Sequence, residues 1–188
     1  MAEFYTRKGD EGFTGLLGEG RVPKYHPRPE AVGCLDECNA AIGIARAISR
    51  DPATSPVLLH IQRDLYHLMA EVSATPENAA RFRAIQSSHV SWLEEQVEII
   101  SSRVEIPREF IVPGDSIAGA HLDMARTLAR RAERRLARLV HEGEVENKEL
   151  LRYLNRLSSL LFMLELLENF ASGSSQPTLA AGGTGNPK

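Results

Sequence analysis

Cysteine, long apolar runs, excess positive charge and metal-ligand spacings are all scarce in this chain of 188 residues. Its two cysteines, Cys34 and Cys38, stand four apart in a stretch of helical periodicity. That spacing suits a disulfide within one helix badly, and no second Cys/His pair offers zinc its remaining ligands. Both therefore read as buried free thiols, with no metal site expected. No apolar run approaches the roughly 20 residues that cross a bilayer. Met1 to Lys8 lacks the apolar core of a signal peptide, and Glu3 and Asp10 interrupt what a transit peptide keeps free of acid. The expected setting is the cytoplasm, with no membrane partner. Net charge is −3, which argues against nucleic acid as a partner, because such proteins normally carry a basic domain.

Other absences narrow the chemistry. The glycines of the opening stretch are not followed by Gly-Lys-Ser or Gly-Lys-Thr, so there is no Walker loop, and no Rossmann fingerprint follows a strand. A diiron bundle needs Glu-x-x-His on two helices, and only Asp64-Leu-Tyr-His67 comes near it. His60 and His67 read as structural. There is no internal repeat, and no stretch alternates as a strand should.

What remains is helical. Hydrophobic content of 43% and charged content of 25% suit one globular domain. A first helix is expected from Pro29, with Val32, Leu35, Ala40, Ile42 and Ile44 as its apolar stripe, ending before Asp51-Pro52. A second starts at Ser55-Pro56 and ends at Thr75-Pro76. A third starts at Ser87 or Ser88 and ends near Ile106-Pro107. Ser116 opens a further helix that Gly143 closes, and leucines from Leu151 to Leu167 carry the last. The reading is an all-α, five-helix up-and-down bundle, four long helices plus a short one between Pro76 and Phe82. It divides the chain into a flexible glycine-rich segment (1–28), the helical bundle (29–171) and a disordered tail (172–188).

One helix stands out. Residues 125–139 hold six arginines and no lysine. Leu122, Ala125, Ala129, Ala132, Leu136 and Leu139 make its apolar stripe, while Arg126, Arg130, Arg134 and Arg138 form a row with Arg131 and Arg135 beside it. Like charges at that spacing repel, so the row needs carboxylates or a bound anion, and the guanidinium fork suits phosphate. A solvated face paired with surface acids and an anion site both fit. Glu30, Asp36, Glu37 and Asn39 cluster early in the first helix, where they can favour its dipole or orient an arginine. In the opening segment Gly9, Gly12, Gly15, Gly18 and Gly20 lie among Arg7, Lys8, Arg21 and Lys24. A disordered arm and an anion-wrapping loop remain open for it.

Five blocks in order carry a resemblance: Thr6-Arg-Lys-Gly-Asp-Glu-Gly-Phe-Thr14 with Gly20-Arg-Val-Pro-Lys24; Arg28-Pro-Glu30 with Asp36-Glu-Cys-Asn-Ala40; Phe110-Ile-Val-Pro-Gly; Ala125-Arg-Thr-Leu-Ala-Arg-Arg-Ala-Glu-Arg134; and Tyr153-Leu-Asn-Arg-Leu-Ser158. Together they resemble the PduO-type ATP:cob(I)alamin adenosyltransferases over roughly residues 4–170. The resemblance implies a helical bundle assembling as a homotrimer with sites at subunit interfaces. It implies an opening loop that folds over ATP through Thr6, Arg7, Lys8, Gly9, Thr14, Arg21 and Lys24. Arg126 and Arg130 match ATP contacts, with Glu133 and Asn155 beside them and Glu30, Asn39 and Arg134 on the same side. Asp36 matches a carboxylate that pairs with Arg126 across the interface, and Phe110 a residue under the corrin ring. Asp36, Arg126 and Phe110 are the expected catalytic residues. Departures from the family pattern fall at Asp115, Asp123, Ser159 and Leu166.

The implied reaction moves the 5′-deoxyadenosyl group of ATP to the cobalt of reduced cobalamin and releases triphosphate, with Mg2+ on the phosphates. Reduced cobalt is itself the nucleophile, which accounts for the lack of any triad or acid/base pair. A cobalamin reductase and an adenosylcobalamin-dependent enzyme would be the partners. A non-catalytic ATP- or corrinoid-binding paralogue and a nucleic-acid-binding helix are the other two readings.

Overall fold

The structure is a computed structural model that describes residues 5, 7–174 and 176–181. Its helices are α1 (Pro27–Ile48), α2 (Thr54–Ser73), α3 (Ala79–Phe82), α4 (Ser87–Ser101), α5 (Ile117–His141) and α6 (Glu149–Ala171). The all-α expectation holds, but among the described residues five helices are long and only α3 is short. α2 packs on α1, α1 on α5, α5 on α6 and α6 on α4, so α3 carries the chain from one flank of the bundle to the other.

The arginine helix α5 lies in the middle because its inner face is small. Ala125, Ala129 and Ala132 are fully buried, as are Leu122, Leu136 and Leu139. Alanine lets α1 and α6 approach closely on both sides, and the leucines fill the remaining space. Ser116 caps α5: its Oγ accepts from the Gly119 N–H at 2.9 Å and donates to Asn169 Oδ1 at 2.7 Å. A Cβ on Gly119 would overlap that Asn169 oxygen, so only glycine fits there. Gly143, at φ 76, ends the helix as expected. Cys34 and Cys38 are free and buried; Cys38 donates to the Ala125 carbonyl at 3.5 Å, and burial pushes its thiol up to about 12.

Several boundaries differ from expectation. α1 begins at Pro27, because the His26 ring accepts from the Arg28 N–H at 3.3 Å and both prolines fit the first turn. α4 stops at Ser101, short of Ile106. The hydroxyls of Ser101 and Ser102 bond back to the Glu98 and Ile99 carbonyls at 2.8 and 2.7 Å, competing with the helical pattern.

The opening segment is not wholly irregular. Strands β1 (Phe13–Gly15) and β2 (Arg21–Pro23) pair antiparallel, with Thr14 opposite Val22. Glycine-rich composition hides such short strands; side-chain and tertiary contacts make them. The Arg21 guanidinium donates to the Lys8 and Phe13 carbonyls. The Leu17 N–H donates to the Ser73 carbonyl at 2.8 Å, tying the hairpin to the end of α2.

The tail also departs from expectation over part of its length. Residues 176–181 lie along the α4–α5 connection, where Leu179 pairs with Ile111 as an antiparallel bridge. The described order comes from main-chain bonds to 110–112 and from Asp115, neither visible in the tail's own polar composition. Residues 182–188 fall outside the described residues, as does Thr6 of the opening segment.

Candidate functional site

The arginines of α5 divide into two groups. Arg131 meets Glu37 at 3.1 Å and Arg135 meets Glu30 at 3.4 Å, both across to α1. Arg138 pairs with Glu142 at 2.8 Å, and Arg126 with Asp123 at 2.6 Å. Arg130 and Arg134 are exposed and have no carboxylate partner among the described residues. Four arginines thus form a compensated face, while on two adjacent rungs the guanidiniums carry no carboxylate among the described residues, an arrangement that could take an anion. Beside them the Asn155 amide donates to Glu133 at 3.1 Å, joining α6 to α5.

Arg126 and Arg130 open onto a cavity of about 610 Å³. Phe110, Asp123, Ser158, Ser159 and Phe162 also line it. Phe110 is 89% exposed, so it is not a core plug; its ring stands at the cavity edge. The loop carrying it is irregular because Pro107 and Pro113 bracket it and Gly114 sits at φ 134.

A second cavity, about 410 Å³, lies between the hairpin, α1 and α2. Asp36 and Thr14 line it together with Gly15, Val32 and Met69. In the same region Lys24 lies over Gly9, where a Cβ would stand 3.1 Å from Nζ. Lys8, Gly9, Arg21 and Lys24 therefore converge at one end of the hairpin, with Arg7 at φ 57 leading in. The Asn39 side-chain oxygen, one helical turn from Asp36, is buried without a hydrogen-bond partner among the described residues.

The two cavities share no lining residue. Asp36 is in one and Arg126 in the other, and within this chain Arg126 is held by Asp123 instead. Glu30, expected on the nucleotide side, is taken up by Arg135.

The structure gives three residues roles that the sequence did not assign. Asp123 is the partner of Arg126; an acid three residues before an arginine on one helix is a readable signal. Glu165 is fully buried, and neither of its oxygens has a partner among the described residues. Burial, then the nearby Asp123 charge, pushes its carboxyl up to about 7; Arg126 opposes this and Asp115 adds to it. Acids interrupting a leucine-rich run, Glu165 and Glu168, were the signal. Arg28 is almost fully buried and donates to the Val72 and Ala74 carbonyls at 3.0 and 2.7 Å while pairing with Glu144 at 3.1 Å. It closes the end of α2 and anchors the start of α1, so it shapes the hairpin cavity from behind.

The sequence profile described as cobalamin adenosyltransferase matches residues 4–168. The corrinoid adenosyltransferase PduO of Citrobacter freundii is 43% identical over 166 residues, which cover 88% of this chain and 49% of that protein. The PduO protein of Salmonella typhimurium gives the same identity and coverage, so the chain spans about half the length of these two relatives. The corrinoid adenosyltransferase of Bacillus subtilis is 36% identical over 175 residues, covering 91% of this chain and 89% of that one. Among solved structures, a single-residue variant of the PduO-type ATP:corrinoid adenosyltransferase of Lactobacillus reuteri, complexed with cobalamin and ATP, superposes with a TM-score of 0.88 at 29% identity. The match covers 95% of this chain and 99% of that one.

Proposed function

Because the chain belongs to the cobalamin adenosyltransferase family, we propose that it transfers the 5′-deoxyadenosyl group of ATP to the cobalt of a reduced corrinoid. The observation that carries this reading is the cavity shared by Phe110, Arg126 and Arg130, with Arg134 one turn beyond Arg130 and neither of these last two paired to a carboxylate among the described residues. In the reaction the cobalt electron pair forms a cobalt–carbon bond, the carbon–oxygen bond at C5′ breaks, and triphosphate leaves with that bonding pair. Reduced cobalt needs no activating base, so the protein's work is alignment and stabilisation of charge on the departing phosphates. Arg130 and Arg134 suit the phosphates. Lys8, Lys24 and the amides around Gly9 suit their other side once the hairpin segment closes over them. Thr14, Asn39, Glu133 and Asn155 fit the remaining polar edge of the nucleotide. Phe110 offers the lower face of the corrin an apolar ring and no ligand atom, which favours cobalt without a lower axial ligand and so eases its reduction.

Magnesium fits this scheme as a companion of the triphosphate. No group of three or more His, Cys, Asp or Glu side chains among the described residues could hold a metal ion, whereas magnesium commonly binds through phosphates and waters. It would neutralise charge on the phosphates where the arginines do not reach.

The separation of Asp36 from Arg126 supports a site completed by a neighbouring subunit. A homotrimer would bring the hairpin cavity of one protomer to the arginine helix of the next. No helix among the described residues is long and apolar enough to cross a membrane. A cytoplasmic setting, a reductase that supplies reduced corrinoid and an adenosylcobalamin-dependent enzyme that takes the product complete the reading.

The test is direct. ATP, magnesium and chemically reduced cob(I)alamin are mixed with the protein, and the cobalt–carbon product is followed by its absorbance. Turnover is expected, with Arg130→Ala slowed strongly and its KM for ATP raised. No product from the wild-type chain would overturn the reading.

A further inference from the structure

The loop that carries Phe110 is held from outside the bundle. The Ala180 N–H donates to the carbonyl of Phe110 itself at 2.7 Å, and the Val112 N–H donates to the Thr178 carbonyl at 2.7 Å. Leu179 pairs with Ile111 between these bonds. One side-chain lock fastens the arrangement: the Thr178 hydroxyl donates to Asp115 Oδ1 at 2.6 Å, and the Thr178 N–H to Oδ2 at 2.9 Å. Both bonds reach a charged acceptor, so they are stronger than neutral ones. Asp115 immediately precedes the Ser116 cap of α5, so the lock is anchored to a rigid helix start. Behind the strap is a cavity of about 330 Å³, lined by Pro107, Leu166, Phe170, Pro177 and Leu179. With that space behind it, the 107–112 loop lacks full backing from the bundle, and main-chain bonds to the strap supply what packing does not.

We infer that residues 176–181 act as a strap that positions the Phe110 ring, with Asp115 and Thr178 as positioning residues for the corrinoid substrate. The inference rests on the proposed role of Phe110 at the lower face of the corrin. A two-bond lock at its base fixes the ring's height in the cavity, and hence whether water or a base reaches cobalt. Nothing in the lock touches the phosphate side.

The experiment compares full-length Asp115→Ala, Thr178→Val, Thr178→Ser and Phe110→Ala with wild type. KM is measured separately for cob(II)alamin, in the presence of a reductant, and for ATP. The fraction of four-coordinate cob(II)alamin formed with ATP is read by electron paramagnetic resonance. Asp115→Ala should raise the corrinoid KM by roughly tenfold and lower the four-coordinate fraction, since it removes both charge-assisted bonds. Thr178→Val, at an exposed position and without the hydroxyl, should do the same more weakly, Thr178→Ser should match wild type, and KM for ATP should not move in any of the three. An unchanged corrinoid KM in both Asp115→Ala and Thr178→Val overturns the strap, as does an equal rise in both KM values. If Phe110→Ala loses the four-coordinate signal while the lock variants keep it, the strap is wrong and the ring's role stands. If Phe110→Ala keeps the signal, the ring's role is wrong, and the corrinoid KM of the lock variants alone decides the strap.

Discussion

At the scale of single residues, Asp115, Asp123, Ser159 and Leu166 all border the Phe110 loop or its cavities. Asp115 locks the tail, Asp123 holds Arg126, Ser159 lines the same cavity, and Leu166 lines the space behind the Phe110 loop. Glu165 sits among them with a carboxyl raised to about 7. A group whose folded-state pKa exceeds its unfolded one keeps its proton longer in the native state, so stability is lost as pH rises from the ordinary glutamate range to about 7, and then levels off. The loss amounts to about 3 kcal/mol at most, from one pKa unit being worth about 1.4 kcal/mol. Glu165→Gln removes the titrating group and keeps its shape. Melting temperatures measured between pH 5 and 8 should fall for the wild-type chain and stay level for the variant, which should be the more stable at pH 8. Parallel curves would mean that Glu165 ionises freely.

At the scale of elements, periodicity made the helices readable. The stripe of Leu122, Ala125, Ala129, Ala132, Leu136 and Leu139 is the buried face of α5, and Ser116 and Gly143 bound it as their chemistry suggests. Two kinds of element were hidden. The three-residue strands of the hairpin are too short to show alternation, and they depend on Arg21 and on a contact with α2. The strap depends on Asp115 and Thr178, 63 residues apart, so no local window contains it. The candidate site residues came from the family blocks, and the structure brings Phe110, Arg126 and Arg130 to one cavity; the engagement of Arg126 by Asp123 needed the three-residue spacing to be weighed. The hairpin is tethered at Leu17, but Arg7 and Lys8 precede both strands. Trypsin should therefore cut at Arg7 or Lys8 in the free protein, and MgATP should slow that cut several-fold by closing the segment over the phosphates. Equal rates with and without MgATP, followed by mass spectrometry, would rule out closure over the nucleotide.

At the scale of the whole molecule, the residues proposed for the site fall in two cavities that share no lining residue. The hairpin cavity carries Asp36, and the α5 cavity carries Arg126. If a second subunit joins them, Asp36→Ala and Arg126→Ala each lose activity, and the double variant loses much less than the product of the two. Mixed oligomers of the two single variants should then regain a fraction of activity, because some interfaces contain both intact residues. Independent effects in the double variant, together with no recovery on mixing, would place the two residues in separate roles. Asp123 already holds Arg126, so a pairing with Asp36 of a neighbouring subunit would require Arg126 to exchange one carboxylate for another.

Arg130 and Arg134 stand one helical turn apart, a rise of about 6 Å, and neither has a carboxylate partner among the described residues. Such a pair measures length. A lone phosphate meets both forks only if both side chains bend toward it, whereas a chain of phosphates lying along the helix meets them one after the other. If the proposed reading holds, the helix that forms the middle of the bundle would double as a ruler, marking polyphosphate length in turns and favouring a triphosphate over a lone phosphate.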